Sequence, residues 1–164
     1  MIRIETKEEE LARVQSYFKK PLSKSLREES WSEQMLTSKL ADYLREHHPL
    51  IPFQVDMSGE RLSKAAAVRS AKNRAGLYKQ PDLTIYVKKG KYGCLMLELK
   101  KLSESPLKKD GNLKKNEHIE LQARSIEWLR KYGQKADFSV GYEDTVSKIN
   151  SYLETGEFEY LYKK

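Results

Sequence analysis

The stretch QPDLTIYVKKGKYGCLMLELKK, residues 80–101, constrains the fold more than any other part of the chain. Leu83, Ile85 and Val87 alternate with Asp82, Thr84 and Tyr86; Leu95, Leu97 and Leu99 alternate with Cys94, Met96, Glu98 and Lys100. Strand side chains point to opposite faces in turn, so this period describes two strands, each with one apolar and one mixed face. The charged residues lie on the mixed face.

Register decides whether those charges meet. Directly opposed residues of an antiparallel pair share a face. Asp82 faces Glu98 if Lys88 pairs with Tyr92, which leaves Lys89-Gly90-Lys91 as a three-residue turn with glycine at positive φ. A two-residue Lys89-Gly90 turn would put Asp82 opposite Leu97 unless a bulge restored the alignment. The odd-length loop is the expectation.

The flanking sequence supplies helices. Residues 7–20 read as a short charged helix with Thr6 and Glu9 spaced as a capping box, Pro21 as its stop and 22–29 as a linker. A stronger helix is expected over 31–47, with Leu36, Leu40, Tyr43 and Leu44 as its stripe, Ser30 as N-cap and Glu33 completing a capping box. Then follow a strand at 51–55 interrupted by Pro52, a basic helix at 60–75, the hairpin, and a Lys-rich loop at 101–115. A helix at 117–132 stopped by Gly133, a strand at 136–140, a helix at 144–153 and an edge strand at 158–162 complete the pattern. That order predicts an α/β fold, a small mixed central sheet flanked by helices. Residues 1–30 read as an N-terminal helix and linker and 31–164 as the main globular unit, in a chain of 164 residues that suits one domain.

Apolar residues make up 38% of the chain and charged residues 34%, enough for a core and too apolar for disorder. No stretch approaches the roughly 20 apolar residues of a membrane span, and MIRIETKEEE lacks the apolar centre of a signal peptide. The lone Cys94 allows no internal disulfide, and with no CxxC or Cys/His cluster a structural zinc site is not expected. A cytoplasmic setting, bacterial or in a phage-infected host, and no membrane partner are the expectations. The net charge of +7 favours a polyanionic partner.

Two carboxylates brought together resist joint ionisation, and a hard divalent cation removes that penalty. Mg²⁺ takes oxygen ligands and keeps several waters, so Asp82 and Glu98 suit it. Lys100 lies on the same face, within reach of a metal-bound water or a substrate phosphate. The combination suits metal-assisted phosphodiester hydrolysis.

Pro81-Asp82 followed one strand later by Glu98-Leu99-Lys100 resembles the PD-(D/E)XK nuclease signature, and the wider pattern resembles its VRR-NUC branch. The matching pieces are Ser32-Glu33-Gln34, Ser58-Gly59 through Lys79, Pro81-Asp82-Leu83, Glu98-Leu99-Lys100, Gln122 with Leu129 and Gly133, and Val140-Gly141, spanning 31–153. The resemblance implies a Mg²⁺- or Mn²⁺-dependent DNA endonuclease. Asp82 and Glu98 would hold metal with the Leu99 carbonyl, and Lys100 would activate or orient the attacking water. Stand-alone members of the family are often homodimers that cut branched DNA such as four-way junctions. Two features depart from the pattern: Lys79-Gln80 stands where relatives have a glycine nearby, and 103–117 is longer than expected.

Glu33 shares the face of Leu36, Leu40 and Leu44, so it reads either as a further metal or water contact or as the capping-box glutamate. Gln122 shares the stripe of Ile119, Ala123, Ile126 and Leu129, and reads either as support for the site or as an amide bonded to backbone. Arg61, Lys64, Arg69, Lys72, Arg74 and Lys79 lead into Asp82, and Lys101 opens the lysine-rich stretch after Lys100; both flank the site where a phosphate backbone would lie. The plainer alternative is a solvated helix and a mobile loop. His47 and His48 read as helix-end residues, and His118, near Gln122, as a surface residue with an approach to the site as the alternative. The rival functions are a non-catalytic DNA-binding or assembly module with the same fold, and a nuclease directed at RNA.

Overall fold

The computed structural model describes residues 28–55 and 78–163, together with residues 6, 72 and 76. In chain order these form helix α1 (Glu33–His47), strands β1 (Phe53–Val55), β2 (Leu83–Ile85) and β3 (Leu95–Lys100), helix α2 (Glu117–Lys131), strand β4 (Lys135–Val140) and helix α3 (Gly141–Thr155). The strands make one sheet in the order β1-β2-β3-β4. The first two pairings are antiparallel and β3 with β4 is parallel. A parallel neighbour requires the chain to return to the far end of the sheet, and α2 is the crossover that does so. This is the expected α/β architecture. The helices expected at 7–20 and 60–75, with Arg61, Lys64, Arg69 and Arg74, lie outside the described residues.

The sheet is covered on both faces. On one side Leu83, Ile85, Leu95, Leu97 and Leu99 meet Leu36, Leu40 and Leu44 of α1 and Ile149 and Tyr152 of α3. Each fully buried leucine there contributes about 1.5–3 kcal/mol. On the other side Ala123 and Ile126 of α2 pack on Ala136, Phe138 and Tyr162, with Met96 against the cluster. The mixed face of the hairpin therefore lies under a helix and is not an open cleft.

The strand register is the expected one: Leu83 opposes Leu97 and Ile85 opposes Leu95, which brings Asp82 into line with Glu98. The turn differs. Lys89 N–H donates to the Tyr92 carbonyl at 3.1 Å and Tyr92 N–H to the Lys89 carbonyl at 2.9 Å, so the tip is Gly90-Lys91. Gly90 has φ 55°, as a primed two-residue turn requires at its first position. Four steps separate Ile85 from Lys89 but three separate Tyr92 from Leu95, so the first strand carries one extra residue. That bulge absorbs the mismatch between a two-residue turn and the alignment of the acids.

Helix α1 starts later than expected. Residues Glu28–Ser30 form a 3₁₀ turn, and Ser32, extended at φ −72° and ψ 163°, caps the helix by accepting from Met35 N–H. The Ser30–Glu33 capping box is thereby overturned: Glu33 is the first helical residue, not the third. The strand expected over 51–55 begins at Phe53, after Pro52, which has no N–H for a ladder. The helix expected at 144–153 runs from Gly141 to Thr155. Gly133, at φ 79°, follows the end of α2 as expected.

Residues 158–162 are not an edge strand. They form an irregular strap held by side chains of β4. Leu161 N–H and Tyr162 N–H donate to the Asp137 carboxylate at 2.6 and 3.1 Å, and Lys135 Nζ donates to the Phe158 carbonyl at 3.1 Å. Fully buried Asp137 also pairs with Arg130 at 2.9 Å and Lys148 at 3.3 Å. A buried carboxylate outcompetes a backbone ladder for these donors because its bonds are charge-assisted.

Candidate active site

Asp82 enters β2 just after buried Pro81, and its Oδ2 accepts from Leu99 N–H at 2.8 Å. The acid is thus pinned to the backbone between Glu98 and Lys100. The segment before it is anchored to α2, because Lys79 N–H donates to Ser125 Oγ at 2.8 Å. Burial holds the Asp82 pKa above the usual carboxylate range, against the pull of the Leu99 N–H and Lys100, and Glu33 adds to the rise.

Glu98 is 4% exposed on the face covered by α2. Its Oε1 accepts from Lys100 Nζ at 3.3 Å and from the Gln122 amide. Burial first, and Asp82 second, push its pKa up to about 8, while Lys100 and Lys79 oppose the rise. This is the signature of two carboxylates sharing one desolvated site.

Gln122 is 2% exposed. It bonds Glu98 rather than backbone, and its second amide hydrogen goes to His118 Nε2 at 3.0 Å. An amide N can only donate, so Nε2 is the acceptor and the imidazole is neutral. Burial and the cations Lys79 and Lys100 lower the His118 pKa accordingly. Lys79 Nζ lies 3.3 Å from both ring nitrogens. His118 is exposed, as expected of a surface residue, and its i, i+4 spacing to Gln122 brings it to the site's edge.

The structure thus brings together Asp82, Glu98, Lys100, Gln122 and Lys79, with the Leu99 backbone beside them. It does not bring Glu33 into a metal-holding group: Glu33 is exposed at the first position of α1, and its charge reaches Asp82 only as a neighbour. Lys101 is tied to Glu104 at 2.7 Å, and Lys72 is helical and exposed. Among the described residues no cluster of three His, Cys, Asp or Glu side chains is set to hold a metal ion.

The donors that are present fit a hard divalent cation. They are oxygens from two carboxylates, the number with which Mg²⁺ keeps several waters. Gln122 Oε1 is buried with no hydrogen-bond partner among the described residues, an acceptor suited to a donor such as a bound water.

The fold is a small mixed sheet with a crossover helix closing over one face. The chain is similar in structure to a solved VRR_NUC domain protein, with a TM-score of 0.54 and 22% sequence identity over 82% of this chain and 96% of that one. No family model and no curated protein matches the sequence. Among the described residues no helix is long and apolar enough to cross a membrane.

Proposed function

We propose that this chain is a metal-dependent endonuclease that hydrolyses DNA phosphodiester bonds, with Mg²⁺ or Mn²⁺ held by Asp82 and Glu98. The observation that carries the reading is the convergence on Glu98 of Lys100, Gln122 and the neighbouring Asp82 in a desolvated site. A buried carboxylate raised to about 8 wants a cation, and its strained ionised form is relieved when one is bound. The fold similarity to a VRR_NUC domain protein supports the nuclease class. When bound, the metal supplies charge neutralisation and a more acidic water.

The chain's own residues supply the rest. Asp82, locked by the Leu99 N–H, fixes where the first oxygen ligand stands. Gln122 orients Glu98 by donating to Oε1, and His118 orients Gln122. Lys100 Nζ, beside Glu98, is placed to hold the attacking water or the scissile phosphate. Lys79 stands where a substrate phosphate can meet a cation.

The test is cleavage of linear, flapped and four-way-junction DNA with Mg²⁺, using Asp82→Ala and Glu98→Ala as controls. Both variants should cut at least a hundredfold more slowly than the parent. If they cut as well, the assignment is wrong. Preference for branched DNA, implied by the family resemblance, is read from the same assay. A DNA-binding module without catalysis would bind junctions with a steep salt dependence and cut nothing in either metal.

A further inference from the structure

We propose that residues 105–115 form a basic finger that grips the phosphate backbone of a duplex DNA flank beside the proposed cleavage site. The finger's position rests on the nuclease reading; its shape rests on its own bonds. Leu107 and Leu113 pair across it. Lys108 N–H donates to the Asn112 carbonyl at 2.8 Å, Gly111 N–H to the Lys108 carbonyl at 3.0 Å, and Lys114 N–H to the Pro106 carbonyl at 2.9 Å. Gly111, at φ 81°, turns the tip. Pro106 is buried at the base, and Leu113 packs on the Ala123, Ile126 and Phe138 cluster. This is a built hairpin and not the mobile loop that its composition suggests.

Both feet of the finger stand at the site. It leaves the sheet just after Lys100, and it returns to Asn116, which caps α2 by accepting from His118 and Ile119 N–H. Two turns of helix separate that cap from the Gln122 amide at most.

The finger carries four lysines against one carboxylate. Asp110 accepts from Asn112 N–H at 3.0 Å and keeps its charge beside Lys108, and Glu104 is taken by Lys101 at 2.7 Å. Lys108, Lys109, Lys114 and Lys115 are all exposed, and none has an ion-pair partner among the described residues. That surplus of cations on a hydrogen-bonded arm complements a polyanion. From Pro106 to the tip at Asp110 the finger measures at most roughly 13 Å at about 3.3 Å per residue, part of it packed against the core through Leu113. That is about four base pairs of duplex at about 3.4 Å each.

The experiment measures the salt dependence of DNA binding for the parent and for Lys108→Gln/Lys109→Gln/Lys114→Gln/Lys115→Gln, on duplexes with long flanks and with flanks cut below about four base pairs. The variant should lose tenfold or more in affinity on long flanks, and the slope of log affinity against log salt should fall by about 2–4. On truncated flanks parent and variant should bind alike. Unchanged affinity and slope overturn the finger. A finger effect on RNA duplexes with none on DNA overturns the assignment to DNA. A parent that shows the finger effect but cuts nothing keeps the finger and sinks the nuclease reading. A parent that cuts while the variant binds like it sinks the finger alone, and a parent that binds no DNA sinks both.

Discussion

Gln122 on α2 donates to the Glu98 carboxylate on β3, across 24 residues of chain. The crossover helix is therefore part of the site as well as its cover. Its amide nitrogen donates to Glu98 and to His118, and its buried Oε1 has no hydrogen-bond partner among the described residues.

Replacing Gln122 by Met keeps most of the volume but takes the amide donor from buried Glu98 and from His118, which costs about 1–3 kcal/mol. The expected result is a melting temperature lowered by several degrees and a cleavage rate lowered about tenfold to a hundredfold, because Glu98 loses its orienting donor. Calorimetry and single-turnover cleavage on the same preparations check both halves.

Glu98 predicts a pH dependence of stability. Its pKa rises from about 4.5 in the unfolded chain to about 8 in the folded one. Between those values the folded state holds a proton that the unfolded state has released, so stability falls as pH rises through that window and levels off above it. Asp82, also raised, adds to the same slope. In metal-free buffer the parent should lose melting temperature from about pH 5 to pH 8 more steeply than Glu98→Gln, which should be the more stable of the two at pH 8. Identical slopes would contradict the burial argument.

Asp82 and Glu98 should act as a pair in metal binding. Titration of Mn²⁺ into the parent should show a site that Asp82→Asn and Glu98→Gln each abolish, since either change leaves one carboxylate. Lys100→Met should retain that site while cutting roughly a hundredfold more slowly. Loss of Mn²⁺ binding in Lys100→Met would show that the ammonium holds the acids in place.

Asp137 holds the far side of the sheet together. It is fully buried and satisfies Arg130, Lys148 and two backbone N–H groups of the strap. Asp137→Ala leaves Lys148 its bonds to Asp144 at 3.1 Å and the Phe138 carbonyl at 2.7 Å, and takes the acceptor from Leu161 N–H and Tyr162 N–H of the strap. Leaving a buried donor unsatisfied costs about 1–3 kcal/mol, and urea melts should show a loss of at least that size. The strap residues 158–162 should gain hydrogen exchange in the same variant.

Gly141 is required by both conformation and space. Its φ is 78°, and a Cβ there would stand 2.6 Å from Glu28 Oε1. That carboxylate accepts from Tyr142 N–H at 2.5 Å at the start of α3, where no side chain of the helix caps it. Gly141→Ala should cost about 1–3 kcal/mol by thermal melting, from the backbone strain alone. Adding Glu28→Ala should recover little, because the strain at positive φ remains.

The hairpin could be read from the chain because its information is local. Period-two alternation set which residues share a face, while the in-line placement of Asp82 and Glu98 rested on a register that alternation leaves open and that the structure reaches through a bulge. The turn was misread because two turn lengths serve one register once a bulge is allowed, and alternation does not reveal a bulge. The α1 cap was misplaced by two residues because Ser30 and Ser32 both suit an N-cap. Only the 3₁₀ turn of Glu28–Ser30, closed by Trp31 N–H to the Glu28 carbonyl, selects the second.

The sequence by itself determined the order of the elements from α1 to α3 among the described residues, the sharing of one strand face by Glu98 and Lys100, and the apolar stripes that bury the leucines. Each follows from periodicity over a few residues. The tertiary structure decided that the mixed face is covered by α2, that Glu98 is desolvated beside Asp82, that His118 meets Lys79 and Gln122, and that the C-terminal strap is bound by Asp137. Desolvation depends on which distant element comes to rest on a face, and no local period carries that information.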